Sequence, residues 1–326
     1  MAAVSGRLAV VLFNLGGPDS PAAVKPFLYN LFSDPAIIRL PQPLRYLVAK
    51  LISGRRAKPA GEIYALMGGR SPIVPETEEQ AAALTAALEG LDLGYEVKVF
   101  IAMRYWHPRA ADTARAVADF APAHVVLLPL YPQFSTTTTA SSLKEWGEAA
   151  AKAGITARTG TIESYPTEPG FVQAQALLIA EALDRAGDGP VRLLFSAHGL
   201  PQKVIDAGDP YQKQIEETAA AVVAALNRPG LDWLVSYQSR VGPLEWIKPY
   251  TEAEIRRAGT EGKALVVVPV AFVSEHSETL VELDIEYREL AAESGVPAYV
   301  RVPAVGTAPA FIAGLARLVA SALGRG

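Results

Sequence analysis

Three strand-and-turn segments occur twice along this chain of 326 residues, in the same order. In each of them an apolar run typical of a buried strand leads into a turn that contains Gly or Pro. The pairs are residues 13–18 and 195–201, residues 104–108 and 235–243, and residues 125–135 and 265–275. This repeated order indicates two halves of similar architecture, which restricts the fold to two copies of one strand-and-helix pattern.

Alanine-rich segments with helical periodicity separate the strands of both halves. They are residues 78–91 and 110–120 in the first half, and residues 171–186 and 211–226 in the second. Alternating strands and helices are typical of βαβ units with right-handed crossovers. We therefore predict an α/β fold of two similar Rossmann-like domains, each a parallel sheet flanked by helices, facing each other across a cleft. The first domain should comprise residues 1–165 and 306–326, because helix 308–323 is expected to cross back to it, and the second residues 166–305.

The segment of residues 265–287 is the most informative about function. It begins as a β-branched run, typical of a strand buried on both faces, and Ser274 is the expected N-cap of the helix that follows. Glu278, Glu282 and Glu286 recur every four residues, so at about 100° per residue they share one helical stripe. Like charges at this spacing repel by a few tenths of a kcal/mol, and the helix starts where open α/β sheets bind ligands. The row favours a cation or proton path; the alternative is a solvated acidic face that suits the helix dipole.

His198 is the candidate base. It follows the apolar strand 191–195, in a turn whose backbone Gly199 and Pro201 restrict. An imidazole with an unperturbed pKa of about 6.5 suits proton abstraction at neutral pH, although a lone histidine after a strand is commonly structural. For the other three histidines we expect a supporting role for His276, a turn position for His107 and a surface position for His124.

Composition excludes several classes of protein. The 30 basic and 34 acidic residues give a net charge of −4, and no long Lys/Arg run is present, which argues against a nucleic-acid partner. The sequence has no cysteine, which excludes disulfides, thiolate zinc sites and cysteine-ligated iron–sulfur clusters and fits a reducing cytoplasm. The apolar stretch 8–15 is too short to cross a membrane, and no signal peptide is apparent. We expect a cytoplasmic protein; the sequence predicts no oligomeric state.

Eight segments resemble, in order and over nearly the whole chain, the motifs of the ferrochelatases, enzymes that insert ferrous iron into a porphyrin. They are FNLGGPDSPAAVKPFLYNLFSDP from Phe13, MGGRSPI from Met67, MRYWHP from Met103, LYPQFSTTTTASS from Leu130, FSAHGLP from Phe195, GDPYQKQIEET from Gly208, SYQSRVGPLEWIKPYT from Ser236 and AFVSEHSETLVELDIEY from Ala271. The resemblance implies the chelatase-like form of the predicted fold. It also implies protoporphyrin IX and ferrous iron as substrates, the last step of heme biosynthesis as the reaction, and no tightly bound cofactor.

The resemblance also implies roles for particular residues. His198 matches the catalytic histidine and would accept pyrrole protons, with Glu278 as its partner carboxylate; these two are also the expected metal contacts. Glu282 and Glu286 would continue a proton or metal path. The residues expected to bind the porphyrin are Leu15, Tyr64, Ser71, Arg104, Tyr105, Trp246 and Phe272, with Arg104 and Tyr105 on the metal side and Tyr64 and Ser71 on a mobile lip.

The chain departs from parts of the family at three places. Leu15 stands where some members have Met or Tyr, so it is expected to shape the pocket without binding metal. Glu168 and Pro169 stand where animal members carry histidines, so no metal-entry role is assigned there. Animal members also ligate a [2Fe–2S] cluster through cysteines, and a chain without cysteine is expected to lack that cluster.

Residues 44–52 have the pattern of an amphipathic helix, with apolar residues at positions 44, 47, 48, 51 and 52. Basic residues lie around it, namely Arg45, Lys50, Arg55, Arg56, Lys58 and, further on, Arg70. Such a helix either lies on an anionic membrane surface or packs against a core. The resemblance favours a pocket lip with weak peripheral contact at the inner face of the membrane.

Three other functions stay open on the sequence alone. They are iron insertion into coproporphyrin III, cobalt insertion into a related tetrapyrrole, and non-catalytic binding of a tetrapyrrole or metal, since two-lobed α/β folds also serve as binders. A base and a carboxylate at neighbouring strand ends, His198 and Glu278, favour an enzyme, because a binder needs no base. The NLGGP turn and the ELDIEY helix resemble the branch of the family that uses protoporphyrin.

Overall fold

The computed structural model describes residues 6–324. The chain folds into two compact units, each with its own parallel sheet. Unit 1 extends to Tyr131, resumes at Ser135–Ser164 and takes up the chain again from Leu315. Unit 2 comprises Pro132–Phe134 and Tyr165–Gly314.

The sheet of unit 1 has four parallel strands. They are β1 (Arg7–Asn14), β2 (Glu96–Met103), β3 (His124–Pro129) and β4 (Arg158–Thr161), in the order β2-β1-β3-β4. Strand β1 has the sequence RLAVVLFN, and all of its residues after Arg7 are buried. An unbroken apolar run of this kind is typical of a strand covered on both faces, which fits the interior position of β1 in the sheet.

Helices connect the successive strands of unit 1. They are α1 (Val24–Phe32), which is preceded by a 3₁₀ turn at Pro21–Ala23, α2 (Gln42–Ala65), α3 (Ile73–Gly90), α4 (Ala110–Phe120) and α5 (Thr139–Lys152). The core forms where aromatic residues of sheet and helix meet; Phe13 and Trp146, for example, make an edge-to-face contact at 5.8 Å. Residues 44–52, for which a helix was predicted, are helical, but they form only part of the much longer α2.

The sheet of unit 2 repeats this design. Its strands are β5 (Val191–His198), β6 (Asp232–Gln238), β7 (Ala264–Pro269) and β8 (Tyr299–Arg301), in the order β6-β5-β7-β8. The helices are α6 (Pro169–Arg185), α7 (Gln202–Asp206), α8 (Tyr211–Leu226), α9 (Thr251–Thr260), a π-helix (Glu278–Glu286), α10 (Tyr287–Glu293) and α11 (Pro309–Ala322).

The predicted fold class, an α/β fold of two similar domains with parallel sheets flanked by helices, is confirmed. The two strand orders are equivalent, and the three segments that recur in the sequence follow or form equivalent strands. The turns after β2 and β6 are also closed alike, since the N–H of Met103 donates to the carbonyl of Pro108 at 2.7 Å and that of Tyr237 to Pro249 at 2.9 Å.

The division near the C-terminus differs from the boundary expected at residue 305. Residues 306–314 belong to unit 2. The reason is packing: Phe311 is fully buried and its ring lies 5.8 Å from that of Phe171 in α6. Helix α11 therefore begins in unit 2, and its remainder from Leu315 belongs to unit 1.

Close packing of α9 provides a test of this fold. A Cβ atom added to Gly259 would lie 1.9 Å from the carbonyl oxygen of Ser294, whereas one added to Gly61 in α2 would meet nothing within 4 Å. We expect Gly259→Ala to destabilise the protein by about 1–3 kcal/mol, because backbone must move to relieve the clash. Gly61→Ala is the matched control and should be neutral or stabilising by about 0.5–1 kcal/mol. Thermal unfolding followed by circular dichroism measures both; equal midpoints for the two variants would contradict the packing.

Candidate functional site

His198 and Glu278 form a hydrogen-bonded pair in unit 2. His198 is the last residue of β5, and its Nδ1 lies 2.9 Å from Oε2 of Glu278, the first residue of the π-helix. The turn after His198 is fixed, because the N–H of Gly199 donates to the carbonyl of Gln238 at 2.9 Å. The imidazole is 36% exposed. With Nδ1 bound to the carboxylate, Nε2 is the ring nitrogen left for a ligand.

The electrostatics of this pair favour a charged imidazole and a charged carboxylate. Burial opposes charge on both groups, but their mutual attraction and hydrogen bond outweigh it. The pKa of His198 is therefore raised above 6.5, and that of Glu278 is lowered to about 2. The two groups titrate as a pair, in which each holds the other in its ionised form.

The helix that carries the three glutamates is a π-helix, not the predicted α-helix. It also starts later than expected, because residues 275 and 276 are not helical, so Ser274 is not its N-cap. Bonds from residue i to i+5 widen the turn, but residues four apart still lie close together on it. Glu278 faces His198, Glu282 lies near enough for the charge of Glu278 to act on it, and Glu286 is exposed.

Glu282 accepts four hydrogen bonds. The donors are Gln238 Nε2 at 3.1 Å, Ser239 N at 3.0 Å, Ser239 Oγ at 2.5 Å and the Tyr287 hydroxyl at 3.1 Å. Burial, the largest influence, and the charge of Glu278 raise the pKa of Glu282 to about 7. The donors from Ser239 and Tyr287 act in the opposite direction by stabilising the charged form. Glu282 is therefore held firmly in place and can gain or lose a proton near neutral pH.

His276 and Phe272 lie together ahead of the π-helix. Their rings meet edge to face at 4.6 Å, and His276 Nδ1 is 3.3 Å from the carbonyl oxygen of Ser274. Burial lowers the pKa of His276, which disfavours the charged form of the ring. The N–H of His276 also donates to Thr279 Oγ1 at 2.9 Å, so this segment fixes the start of the helix.

Trp246 packs against the histidine. Its ring lies edge to face with that of His198 at 6.4 Å. Two backbone bonds hold the tryptophan segment to the turn after β5, from Gln202 N to Glu245 O and from Ile247 N to Leu200 O. Gly199 lies beneath the indole, where an added Cβ would approach Trp246 Cε3 to 3.2 Å. A larger residue than glycine would therefore push the indole away from His198.

In unit 1, Arg104 and Tyr105 belong to a buried network around Asp34. One oxygen of Asp34 accepts from Arg104 Nη2 at 2.8 Å, from the Tyr105 hydroxyl at 2.7 Å and from Ser141 Oγ at 2.6 Å. Arg104 also pairs with Glu145 at 3.2 Å. Burial, followed by the charge of Asp34, raises the pKa of Tyr105 well above its usual value.

Asp34 was missed by the analysis of the sequence. The sequence feature that could have drawn attention to it is a carboxylate directly before Pro35, just after α1 and inside the longest of the family-like motifs. A single acidic residue near a helix end is, however, more often at the surface. The structure shows that it organises both Arg104 and Tyr105.

The remaining predicted residues of unit 1 lie near one another. Leu15 and Tyr64 pack in one apolar cluster with Tyr105, and Leu15 carbonyl oxygen accepts from the N–H of Tyr105 at 2.9 Å. Ser71 is buried against Gly17, where an added Cβ would approach Ser71 Cβ to 2.5 Å. Only glycine fits at position 17, which explains the glycine of the NLGGP turn.

Glu168 has a structural role, because its carboxylate accepts from the N–H of Phe171 at 2.8 Å and so caps α6. Within residues 6–324, no group of three or more His, Asp or Glu side chains is placed to hold a metal ion. His198 and Glu278 together offer one ring nitrogen and one carboxylate at this place.

Comparisons with known proteins agree with the sequence motifs. The sequence model of the ferrochelatase family matches residues 7–323. The chain is 61% identical to the ferrochelatase of Caulobacter vibrioides over 320 residues, which cover 98% of this chain and 91% of the relative. It is 59% identical to that of Phenylobacterium zucineum, with 98% and 92% covered, and 50% identical to that of Pelagibacter ubique, with 96% and 90% covered.

Solved structures with a similar fold include SirB from Bacillus subtilis with Fe³⁺, with a TM-score of 0.54 at 12% identity, covering 97% of this chain and 95% of SirB. The sirohydrochlorin chelatase SirB from Bacillus subtilis subspecies spizizenii, in complex with cobalt, gives 0.53 at 11% identity, with 97% and 95% covered. At these identities the likeness concerns the fold.

The His198–Glu278 pair predicts the titration of the histidine. In the wild-type protein His198 should titrate above pH 6.5, because Glu278 stabilises the imidazolium. Glu278→Gln removes that charge while burial remains, so the pKa of His198 should fall by about one unit or more. Glu286→Gln, which changes an exposed residue of the same helix, is the control and should leave the titration unchanged. Histidine side-chain NMR with pH measures both; an unshifted His198 in Glu278→Gln would show that the pair does not set its pKa.

Proposed function

The chain belongs to the ferrochelatase family, and we propose that it acts on protoporphyrin IX with His198 as the acceptor of pyrrole protons and Glu278 as its charge partner. It inserts iron into a porphyrin for heme synthesis, which makes it a lyase. The prediction of an enzyme rather than a non-catalytic binder is thus confirmed. Iron is a substrate here, and the chain has no cysteine to hold a cluster.

The observation that carries the proposal is the His198–Glu278 pair. A free-base porphyrin must lose two inner N–H protons before its four nitrogens can bind iron. His198 presents Nε2, and once the ring has released its own proton, its raised pKa makes it a stronger base than an isolated imidazole. Glu278 stabilises the imidazolium that forms. With a pKa of about 2, Glu278 stays ionised at neutral pH, so it serves as a partner of charge and a contact for iron rather than as a proton store.

The path for protons continues through Glu282 in this proposal. Its pKa of about 7 allows it to exchange a proton near neutral pH. Glu286 is exposed and would form the outer end of the path. For the porphyrin itself we propose contacts with Leu15, Tyr64, Ser71, Arg104, Tyr105, Trp246 and Phe272. The contact of Trp246 with His198 supports an apolar wall beside the base.

Loss of the base is the central test. His198→Ala should lower the turnover of iron insertion by about 10²-fold or more, because general-base catalysis contributes that much, while protoporphyrin IX still binds. His124→Ala, at the start of β3, is the control and should keep wild-type turnover. Anaerobic assays with ferrous iron, read by visible absorption, measure turnover, and quenching of tryptophan fluorescence measures binding. His198→Ala with more than about a tenth of wild-type activity would exclude it as the base.

Preference for protoporphyrin IX over coproporphyrin III rests on charge. The second substrate carries two additional carboxylates in place of vinyl groups, and burying an unpaired carboxylate is costly. The cations nearest Tyr64 and Ser71 in the sequence are Arg45, Lys50, Arg55, Arg56, Lys58 and Arg70, and all but the half-buried Arg45 are exposed. Exposed cations are strongly screened, so they would offset little of the cost of burial.

Protoporphyrin IX should therefore have the higher kcat/KM, by about tenfold or more, since one poorly paired buried polar group costs at least 1–3 kcal/mol. The measurement compares both porphyrins with ferrous iron in detergent under matched anaerobic conditions. Uroporphyrin, which has still more carboxylates, is the control and should react less than either. An equal or higher kcat/KM for coproporphyrin III would assign the chain to the other branch of the family.

We also propose that α2 makes a peripheral contact with a membrane. Within residues 6–324, no helix is long and apolar enough to cross a bilayer. On α2, however, Leu44, Leu47 and Leu51 are 49%, 66% and 54% exposed, and their spacing places them on one stripe. This exposed stripe supports a peripheral membrane contact, and the neighbouring basic residues suit anionic lipid.

Removing two of these leucines tests the contact. Leu47→Ser with Leu51→Ser should reduce binding to vesicles of mixed neutral and anionic phospholipid by about 10²-fold, because each fully buried leucine contributes about 1.5–3 kcal/mol. Leu177→Ser, which changes a leucine in α6 that is 58% exposed, is the matched control. Co-sedimentation measures the bound fraction. Equal loss in both variants, or none in the double variant, would rule out α2 as the contact.

A further inference from the structure

Gln238 connects the two elements that carry the proposed catalytic groups. It is the last residue of β6, and the register places it beside His198 of β5. Its carbonyl oxygen accepts from the N–H of Gly199 at 2.9 Å, which holds the turn after His198. Its side chain is fully buried, and Nε2 donates to Oε2 of Glu282 at 3.1 Å. One residue thus touches both the histidine turn and the glutamate helix.

A chain of buried hydroxyl groups fixes the orientation of the Gln238 amide. Ser196 Oγ donates to Gln238 Oε1 at 2.6 Å. A hydroxyl has one proton, so Thr251 Oγ1, 3.0 Å from Ser196 Oγ, must donate to it. Ser236 Oγ, 2.9 Å from Thr251 Oγ1, then donates in turn. All three hydroxyl groups therefore donate in the direction of Gln238 Oε1, which leaves the amide nitrogen of Gln238 facing Glu282.

We propose that Gln238 is a positioning residue: its side-chain amide donates to the carboxylate of Glu282 and so fixes that carboxylate relative to His198. This inference rests on the proposed role of Glu282 in the proton path. An amide nitrogen donates but cannot be deprotonated at neutral pH, so it fixes Glu282 without competing for the proton that Glu282 carries. Gln238 itself touches neither the porphyrin nor the iron.

The alternative explanation is that these polar groups merely satisfy one another in the core. Such groups cost free energy when unpaired, so any of them would destabilise the protein when removed. A purely structural Gln238 would lower stability whether or not Glu282 is present. A positioning Gln238 acts on turnover through Glu282, and its effect on turnover disappears when Glu282 is absent.

A double-mutant cycle separates the two. Gln238→Met should lower kcat for insertion of ferrous iron into protoporphyrin IX about tenfold or more, since a hydrogen bond to a charged group is lost, with porphyrin affinity unchanged within about twofold. In the Glu282→Ala background the same substitution should have no further effect on kcat. Thr251→Val, which changes the hydroxyl two hydrogen bonds away from Gln238, is the control for core damage. It should keep kcat within about twofold of wild type while lowering the unfolding midpoint.

The outcomes are distinct. If Glu282→Ala itself keeps wild-type turnover, the proposed proton path fails. If Glu282→Ala lowers turnover and Gln238→Met either has no effect or adds fully to it, the inference about Gln238 is overturned and the path stands. Gln238→Glu keeps the shape of the side chain and places a carboxylate against Glu282, so it should lower kcat at least as far as Gln238→Met; wild-type kcat in that variant would also overturn the inference.

Discussion

The interior position of β5 in its sheet is the constraint on which the site depends. Because β5 pairs with β6 on one side and β7 on the other, its side chains are buried along nearly its whole length. His198 is the residue at which the strand leaves the sheet. The carboxyl ends of parallel neighbours meet at one edge, so Gln238 from β6 and the π-helix after β7 meet the histidine there. The site is a consequence of strand order and register.

The two units manage buried charge in different ways. In unit 1 Arg104 lies between the carboxylates of Asp34 and Glu145, which balance its charge. In unit 2 two carboxylates, Glu278 and Glu282, share the neighbourhood of one imidazole. Two negative groups with one positive partner leave one carboxylate with a pKa close to neutrality. The second arrangement therefore includes a carboxylate that can change its protonation near neutral pH.

Much of the fold was predictable from the sequence, because buried strands and helices leave periodic patterns of apolar residues. The repeated segments located β1, β3, β5 and β7, and the turn after β5 located His198. The π-helix was not predictable, because Leu283 and Tyr287 satisfy the α-helical period as well and only packing decides the hydrogen-bond pattern. Asp34 was missed for a related reason: its importance lies in contacts with Arg104 and Tyr105, which are 70 and 71 residues away in the chain. The sequence thus indicated His198 and Glu278 but not the buried polar contacts of Asp34.

The path of α11 has a consequence for how the protein is made. Unit 2 is nearly continuous in the chain, whereas unit 1 needs the last turns of α11, where Leu315 and Val319 are buried. β4 also packs closely on the end of that helix, since a Cβ added to Gly160 would lie 3.1 Å from the carbonyl oxygen of Ala322. During translation, therefore, the half that leaves the ribosome first cannot be completed first. Strand β4 lacks the helix end that packs against it until α11 has emerged, whereas unit 2, whose residues end at Gly314, has all of its parts sooner.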